Sequence, residues 1–359
     1  MQIQKNKSGN AILTAILAAA LYGISSPVSK LLLTEIPPTL MAALLYLGAG
    51  FGMVIVNMIH GMGNREHSEA KVTRKELPYV IGMILLDILA PVLLMLGLTL
   101  TTASNAALLN NFEIVSTSLI ALFIFKEAVG KRMWTAIILI TLSSILLSVK
   151  DLSSLTFSGG SFFVIAACLS WGLENNFTKM LSLKDPLQIV VMKGFGSGTG
   201  SLIISFILKE TCSNILYIFP ALILGFVAYG LSIFFYISAQ RNLGAARTSA
   251  YYAAAPFIGV LISWLLLREE ITSSFLAALI IMIIGVYFAI TENHGHMHIH
   301  PKITHEHRHS HDDMHHLHCH DTEVIGEHSH IHTHEAMEHK HPHTPDMHHQ
   351  HEHSERPEK

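Results

Sequence analysis

Four ionisable residues lie inside long apolar stretches of this chain. Glu174 is part of an apolar run over 161–183, Lys193 follows shortly after it, and Asp87 and Glu113 occupy earlier apolar runs. A charge near the centre of a bilayer costs about 2.5 to 3.5 kcal/mol, so such residues are expected to face a cavity or a partner. The pattern predicts a polar functional site within a membrane. A purely structural ion pair between Glu174 and Lys193 is the alternative.

The composition indicates an integral membrane protein. Hydrophobic residues make up 50% of the chain and charged residues 14%, against about 25% charged residues in soluble domains. Residues 11–291 are strongly apolar, whereas 292–359 form a polar tail. Three scattered cysteines exclude a disulfide framework. The formal net charge of −3 gives no indication of a nucleic-acid partner.

Ten segments meet the length of about 20 apolar residues that a membrane-spanning helix needs. They are 11–33, 38–59, 78–99, 102–125, 132–150, 160–183, 186–208, 214–240, 244–267 and 272–291. The predicted fold class is therefore an all-α integral membrane protein with ten transmembrane helices. A polar tail that buries little apolar surface is expected to be disordered without metal.

Basic residues in the short loops predict the orientation. If the N-terminus is cytoplasmic, the cytoplasmic loops carry most of the lysine and arginine residues: Arg65, Lys71, Arg74, Lys75, Lys131, Arg132, Lys184 and Arg241. The opposite loops carry Lys150, Lys209 and Arg268. Because positive charge is retained on the cytoplasmic side, both termini are expected in the cytoplasm, in a multi-pass protein of the cell membrane.

Two pairs of matching segments indicate an internal repeat. An aromatic residue and glycine, followed by a hydroxyl residue and lysine, occur in Tyr22–Lys30 and again in Trp171–Lys179, 149 positions later. Phe125–Glu127 and Leu267–Glu269 match at an offset of 142 and each closes an apolar span. Since each half holds five spans, the halves must be inverted in the membrane. Inverted repeats are typical of secondary transporters, whose substrate site lies near the midplane between the repeats.

With these features the chain resembles the EamA family of the drug/metabolite transporter superfamily. The resemblance includes the fourth-span run Ala103–Ala107 with Glu113 and Glu127, and the ninth-span run Gly244–Arg247 with Pro256 and Glu269. It implies two five-helix repeats, alternating access, and transport of amino acids or other small metabolites, often outward. One departure is Ile114 after Glu113, where many relatives carry Glu-Pro. Without that proline, the sequence alone does not predict a distortion of the fourth helix.

The domain organisation follows from the repeat and the family resemblance. We assign 1–10 to a cytoplasmic N-terminus, 11–150 and 151–291 to the two EamA-like repeats, and 292–359 to a His-rich cytoplasmic tail.

The four ionisable residues fall at similar depths. At 1.5 Å per residue they lie within a layer roughly 8 Å deep near the midplane. We predict one central cavity suited to a cation, an ammonium group or protons. The alternative is that these groups are protonated or pair locally. The predicted substrate-binding residues are Asp87, Asn110, Glu113, Trp171, Glu174, Asn175 and Lys193. Interhelical hydrogen bonding is an equally ordinary role for the asparagines. For the tryptophan, packing in the bundle is the more common role.

Glycines follow Lys193 at regular spacing. Gly194 and Gly198, and likewise Gly196 and Gly200, repeat the small-x3-small pattern of close helix packing. Gly48–Gly52 has the same pattern. A helix softened for gating is the alternative interpretation of the glycines after Lys193.

The tail is a candidate metal-binding segment. Of the 25 histidines, 23 lie between His294 and His353, and dense histidine tracts are typical of metal binding. The predicted ligands are His294, His296, His298, His300, His305, His307, His309, His311, His328, His330, His332 and His334. Zn²⁺, Ni²⁺, Co²⁺ and Cu²⁺ all suit imidazole. Residues 305–309 match His-Glu-x-x-His, but a protease needs that motif on a helix of a folded domain, so we reject a protease.

Two functions are considered. The first is a secondary transporter that exports a small metabolite such as an amino acid, with a metal-binding tail. The second is a divalent metal transporter for Ni, Co or Zn, whose tail binds or senses the ion. We expect no enzymatic activity and no required cofactor, with Zn, Ni or Co bound by the tail. The expected partners are a small-molecule or ion substrate and the lipid bilayer. We expect no nucleic-acid partner, and we leave a homodimer open as the oligomeric state.

Overall fold

The helices of the membrane region follow the predicted spans. The computed structural model describes residues 2–61, 72–124, 129–151, 156–181, 184–243, 248, 251–291, 295–300, 303–309, 328–334 and 337–342. In the first half the helices are α1 (Gln2–Gly23), α2 (Ser25–Leu32), α3 (Pro38–Gly61), α4 (Leu77–Leu100), α5 (Ala103–Leu109), α6 (Phe112–Phe123) and α7 (Lys131–Ser148). In the second half they are α8 (Gly159–Lys179), α9 (Pro186–Ile207), α10 (Ile218–Gly225), α11 (Ser232–Leu243), α12 (Ala255–Leu267) and α13 (Ser273–Ile290).

The prediction of an all-α membrane protein is confirmed. Among the described residues, eight helical spans are long and apolar enough to cross a bilayer. Of the two other predicted spans, α8 is 21 residues long but contains Glu174, and α12 is apolar over 13 residues. Large apolar side chains cover the outside of the bundle; Phe206, for example, is 72% exposed. The count of ten crossings stays a prediction.

Three of the spans are interrupted near their middle. The first has a turn at Ile24 between α1 and α2, and the fourth has a turn at Asn110 and Asn111 between α5 and α6; the three residues keep right-handed helical backbone angles. The ninth contains a turn at 253–254 before α12 begins. The fourth span thus has its turn without a proline after Glu113. Asparagine can bond to the helix backbone through its side chain, and the Asn111 amide does so by donating to the Leu108 carbonyl oxygen.

The eighth span changes helix type instead of breaking. A π-helix, Phe226–Leu231, joins α10 to α11. Such segments are rare and often occur at functional sites. Its counterpart in the first half, α4, is a continuous α-helix that contains Pro91. The two repeats therefore differ in local helix geometry.

Packing between the halves follows the inverted repeat. α3 packs on α9, α7 on α13 and α5 on α12, so equivalent spans meet across the repeat interface. A Cβ added to Gly23 would lie 3.0 Å from the Ile258 side chain, and one added to Gly172 would lie 2.5 Å from Ser116. Gly172 follows Gly23 by 149 positions and Ile258 follows Ser116 by 142. These are the two offsets of the sequence repeat, so both halves use equivalent contacts.

The glycines after Lys193 permit close packing of α9 on two helices. A Cβ on Gly194 or Gly198 would come within 2.5 and 2.8 Å of α3. A Cβ on Gly196 or Gly200 would come within 2.6 and 2.2 Å of side chains on α4. The packing interpretation is confirmed, because larger side chains at these positions would push α9 away from its neighbours.

The second span also approaches the eighth closely. A Cβ on Gly48 would lie 2.1 Å from the Leu222 carbonyl oxygen, and one on Gly52 would lie 1.9 Å from the Phe226 ring. Gly225 makes the reverse approach, 2.0 Å from the Leu45 carbonyl oxygen. These contacts hold the π-helix against α3.

The described parts of the tail are extended strands. β3 (Gly295–His300) pairs antiparallel with β6 (Met337–Pro342), and β4 (Ile303–His309) pairs antiparallel with β5 (His328–His334). A shorter pair, β1 (Val149–Asp151) and β2 (Thr156–Phe157), lies between the two repeats. The disorder of the tail without metal stays a prediction. Alternation with period two favours strands, and the His-x-His pattern has that period.

Candidate functional site

Lys193 joins two acidic side chains inside the bundle. Its Nζ lies 2.6 Å from Glu174 Oε1 on α8 and 3.3 Å from Asp87 Oδ2 on α4. The Tyr46 hydroxyl on α3 donates to Asp87 Oδ1 at 2.9 Å. The two carboxylate side chains are 1% and 3% exposed. We call these four residues the Lys193 cluster. Since Tyr46 and Asp87 come from the first repeat and the others from the second, the cluster lies at the repeat interface.

The packing of α9 explains how the cluster assembles. Gly194 allows α9 to approach the α3 backbone, and Gly196 allows it to approach α4. The lysine side chain then reaches Asp87 without crossing an apolar gap. Glu174 is also contacted by Thr178, whose hydroxyl donates to the same carboxylate oxygen, Oε1, as Lys193. Paired in this way, the buried charges avoid much of the desolvation cost of isolated ions.

Glu113 forms a second acidic position. It lies in the first turn of α6, where the helix dipole favours a negative charge. Its Oε1 accepts a hydrogen bond from Asn175 Nδ2 at 2.6 Å, and the same amide group lies 3.3 Å from the Thr117 hydroxyl. In the described part of the chain no lysine or arginine pairs with this carboxylate. Glu113 therefore has a different direct partner from the residues of the Lys193 cluster, and the single cavity with all four charges stays a prediction.

Asn110 and Trp171 are both buried in the bundle. Asn110 is 8% exposed, and its Oδ1 has no hydrogen-bond partner among the described residues. Trp171 is 6% exposed and packs in the hydrophobic core. Asn176 makes structural bonds to the carbonyl oxygens of Thr117 and Gly172, at 3.2 and 2.8 Å. Of the predicted substrate-binding residues, the structure brings together Asp87, Glu174 and Lys193 in one group and Glu113 with Asn175 in another.

A row of tyrosines extends from the Lys193 cluster. The rings of Tyr46 and Tyr229 are 5.4 Å apart, those of Tyr229 and Tyr22 are 5.9 Å apart, and those of Tyr22 and Tyr252 are 5.8 Å apart. Tyr229 lies within the π-helix. Sequence reasoning missed Tyr46 and Tyr229. A single tyrosine in an apolar helix carries no positional signal, so only the helix packing reveals the row.

A wider cavity of about 600 Å³ opens at the end of the bundle where α2 ends. Lys30 on its wall donates to the carbonyl oxygens of Leu98 and, at 2.8 Å, Thr101. Glu269 accepts from two backbone N–H groups at the start of α5, at 2.7 and 2.9 Å. Both charged groups satisfy backbone groups at helix ends, a structural role.

Ten of the twelve predicted metal ligands lie on described strands; His294 and His311 lie outside the described residues. In the β4–β5 pair the register aligns three histidine pairs: His305 with His332, His307 with His330, and His309 with His328. In the β3–β6 pair, His296 stands opposite His341 and His298 opposite His339.

Comparison with known proteins agrees with these features. The model of the EamA-like transporter family matches residues 9–149 and 158–291. An uncharacterized transporter of Methanothermobacter thermautotrophicus is 28% identical over 291 residues, which cover 77% of this chain and 84% of that protein. A solved crystal structure of a protein has a TM-score of 0.58 at 15% identity, covering 78% of this chain and 95% of the other. That likeness concerns the fold alone.

The two family matches lie in the two halves of the inverted repeat and together cover most of the chain. The family resemblance found in the sequence is thereby confirmed. The chain belongs to the EamA-like transporter family.

Proposed function

We propose that this membrane transporter exports a small zwitterionic metabolite, such as an amino acid, by alternating access, and that it resides in the cell membrane with both termini in the cytoplasm. The observation that carries the proposal is the Lys193 cluster. Buried charges contributed by both repeats are expected at a midplane site that is rearranged when one repeat moves against the other. Membership in a transporter family supports the general activity.

The chemistry of the cluster suits a molecule with both an ammonium and a carboxylate group. A substrate carboxylate can replace an acidic side chain on Lys193, while the substrate ammonium takes the place of Lys193 at Glu174 or Asp87. Asp87 Oδ2 accepts no hydrogen bond from the described residues and has only the 3.3 Å ion-pair contact. It is therefore available to a substrate N–H group. This exchange keeps buried charges paired throughout transport.

A divalent metal substrate is the second candidate, supported by the carboxylates of Asp87, Glu113 and Glu174. The 2.6 Å contact of Lys193 with Glu174 weighs against it, because a nearby ammonium repels a divalent cation. The side chains described within the membrane region include no group of three or more His, Cys, Asp or Glu residues that could hold a metal ion. We therefore favour the metabolite and assign metal binding to the tail.

Metal flux tests the choice between the two candidates. Proteoliposomes containing a metal-sensitive dye are compared for the full chain and for a chain ending at Glu292. We expect no Zn²⁺, Ni²⁺ or Co²⁺ flux with either protein, and metal binding by the full chain alone. Flux that survives removal of the tail would make the ion the substrate and direct attention to Asp87, Glu113 and Glu174.

The strand register in the tail gives a second testable expectation. Exchanging Glu306 and His307 keeps the composition but removes the histidine from the position that is in register with His330. We expect Zn²⁺ binding, measured by competition with a chromogenic chelator, to weaken several-fold. Exchanging Glu306 and Arg308 leaves every histidine in place and is the matched control. Equal binding by all three proteins would mean that the tail binds metal without this strand pairing.

A further inference from the structure

The interruptions of three spans meet at one small buried cavity. Its walls include Gly23 from the first span, Asn110 from the fourth, and Pro256 and Gly259 from the ninth. A Cβ on Gly23 would lie 2.7 Å from the Ala255 carbonyl oxygen, and one on Gly259 would lie 3.0 Å from the Gly23 carbonyl oxygen. The backbones of the first and ninth spans are therefore in direct contact beside the cavity.

Oxygen atoms with incomplete hydrogen bonding surround this space. Asn110 Oδ1 is buried without a partner among the described residues. The Gly23 carbonyl cannot receive the usual helical bond from residue 27, because Pro27 has no N–H group. The Ser26 side chain is also buried and on the wall. Buried acceptors of this kind are costly in a membrane unless something satisfies them.

Acceptor oxygens from two spans border this cavity. Gly23 is the last residue of α1 and Asn110 caps the C-terminal end of α5, and both lie on the wall. On the side of the ninth span, Pro256 at the start of α12 contributes no N–H donor. The cavity measures about 10 Å³, close to the volume that holds one water molecule or one small ion.

We propose that this cavity, the Asn110 cavity, is a Na⁺ site that couples ion binding to movement of the interrupted spans. Its wall, as far as the chain is described, contains no carboxylate, so it suits a monovalent rather than a divalent cation. Unwound backbone carbonyls and the C-terminal ends of half-helices are the groups that hold Na⁺ in broken-helix transporters. The inference rests on the proposed transporter function and adds the coupling ion to it.

Direct binding of ²²Na⁺ to the purified full chain tests the proposal without a known substrate. We expect saturable binding at constant ionic strength, with K⁺ as the replacing ion. Asn110→Leu is expected to weaken it about tenfold or more, equivalent to about 1.4 kcal/mol. Ser26→Ala is expected to weaken it less, and Asn110→Asp, which keeps an oxygen ligand, is expected to retain it.

Asn111→Ala is the matched control, because the Asn111 amide donates to the Leu108 carbonyl oxygen at 3.2 Å and is absent from the cavity wall. Binding should be unchanged in this variant. Absence of saturable binding in the unmodified chain, or full binding by Asn110→Leu and Ser26→Ala, would overturn the proposal and assign the cavity to water. The proposed transport site is tested by a separate measurement: that proposal is wrong if substrate transport does not depend on Lys193.

Discussion

Replacement of Lys193 by methionine is expected to abolish substrate transport and to lower thermal stability. The variant leaves Asp87 and Glu174 buried without their common cation. Breaking a buried ion pair by removing one partner costs about 3 to 5 kcal/mol. Transport is measured in proteoliposomes with a substrate selected by counterflow from an amino-acid mixture, and unfolding is followed by tryptophan fluorescence.

A variant without charges in the Lys193 cluster separates the contribution of the cluster to stability from its contribution to transport. The triple variant Asp87→Asn, Glu174→Gln, Lys193→Met keeps the shape of the cluster but removes every charge. It should therefore regain much of the thermal stability that Lys193→Met loses. Its transport should remain absent, because the charges that exchange with the substrate are gone. Normal transport by the triple variant would show that the Lys193 cluster is only structural.

Replacement of Glu113 by glutamine is expected to weaken substrate binding by about 10- to 150-fold. Hydrogen bonds to charged groups contribute about 1.5 to 3 kcal/mol, and each 1.4 kcal/mol corresponds to a tenfold change in affinity. The reason is that Glu113 has an amide partner, Asn175 at 2.6 Å, and no basic partner among the described residues, which leaves its charge available to a further hydrogen-bond donor of the substrate, besides the ammonium group held at Glu174 or Asp87. The measurement is the substrate concentration at half-maximal transport.

Glu113→Asp is the conservative comparison, because it keeps the negative charge and shortens the side chain. Its affinity should lie between those of the unmodified chain and Glu113→Gln. A structural role would give a different pattern, with both variants reduced in stability and transport to similar extents. Unchanged affinity in Glu113→Gln would remove this residue from the substrate site.

The repeats are similar in sequence pattern but different in local structure, which fits a transporter with two alternating states. Gly23 and Gly172 occupy equivalent packing positions. Yet the first span is interrupted at Ile24, whereas its counterpart α8 is continuous. An inverted-repeat protein can exchange such conformations between its halves, which closes one side of the membrane and opens the other.

Composition was sufficient to determine the class and the approximate positions of the spans, and two pairs of matching segments were sufficient to reveal the repeat. The cost of burying charge was sufficient to select Asp87, Glu174 and Lys193 for attention. Depth along each helix also follows from the sequence, because the rise per residue is constant. These properties depend on each helix separately, so the linear sequence determines them.

Only the tertiary structure decided which charged residues meet. A helix that is apolar on all sides has no amphipathic stripe, so the sequence does not reveal which way a polar residue points. Glu113 has a depth similar to that of Glu174 but faces Asn175, while the glycines of α9 bring Lys193 to Asp87. The tyrosine row and the Asn110 cavity likewise depend on contacts between different spans. The physical reason is that the rotation of each helix about its axis is determined by close packing with its neighbours.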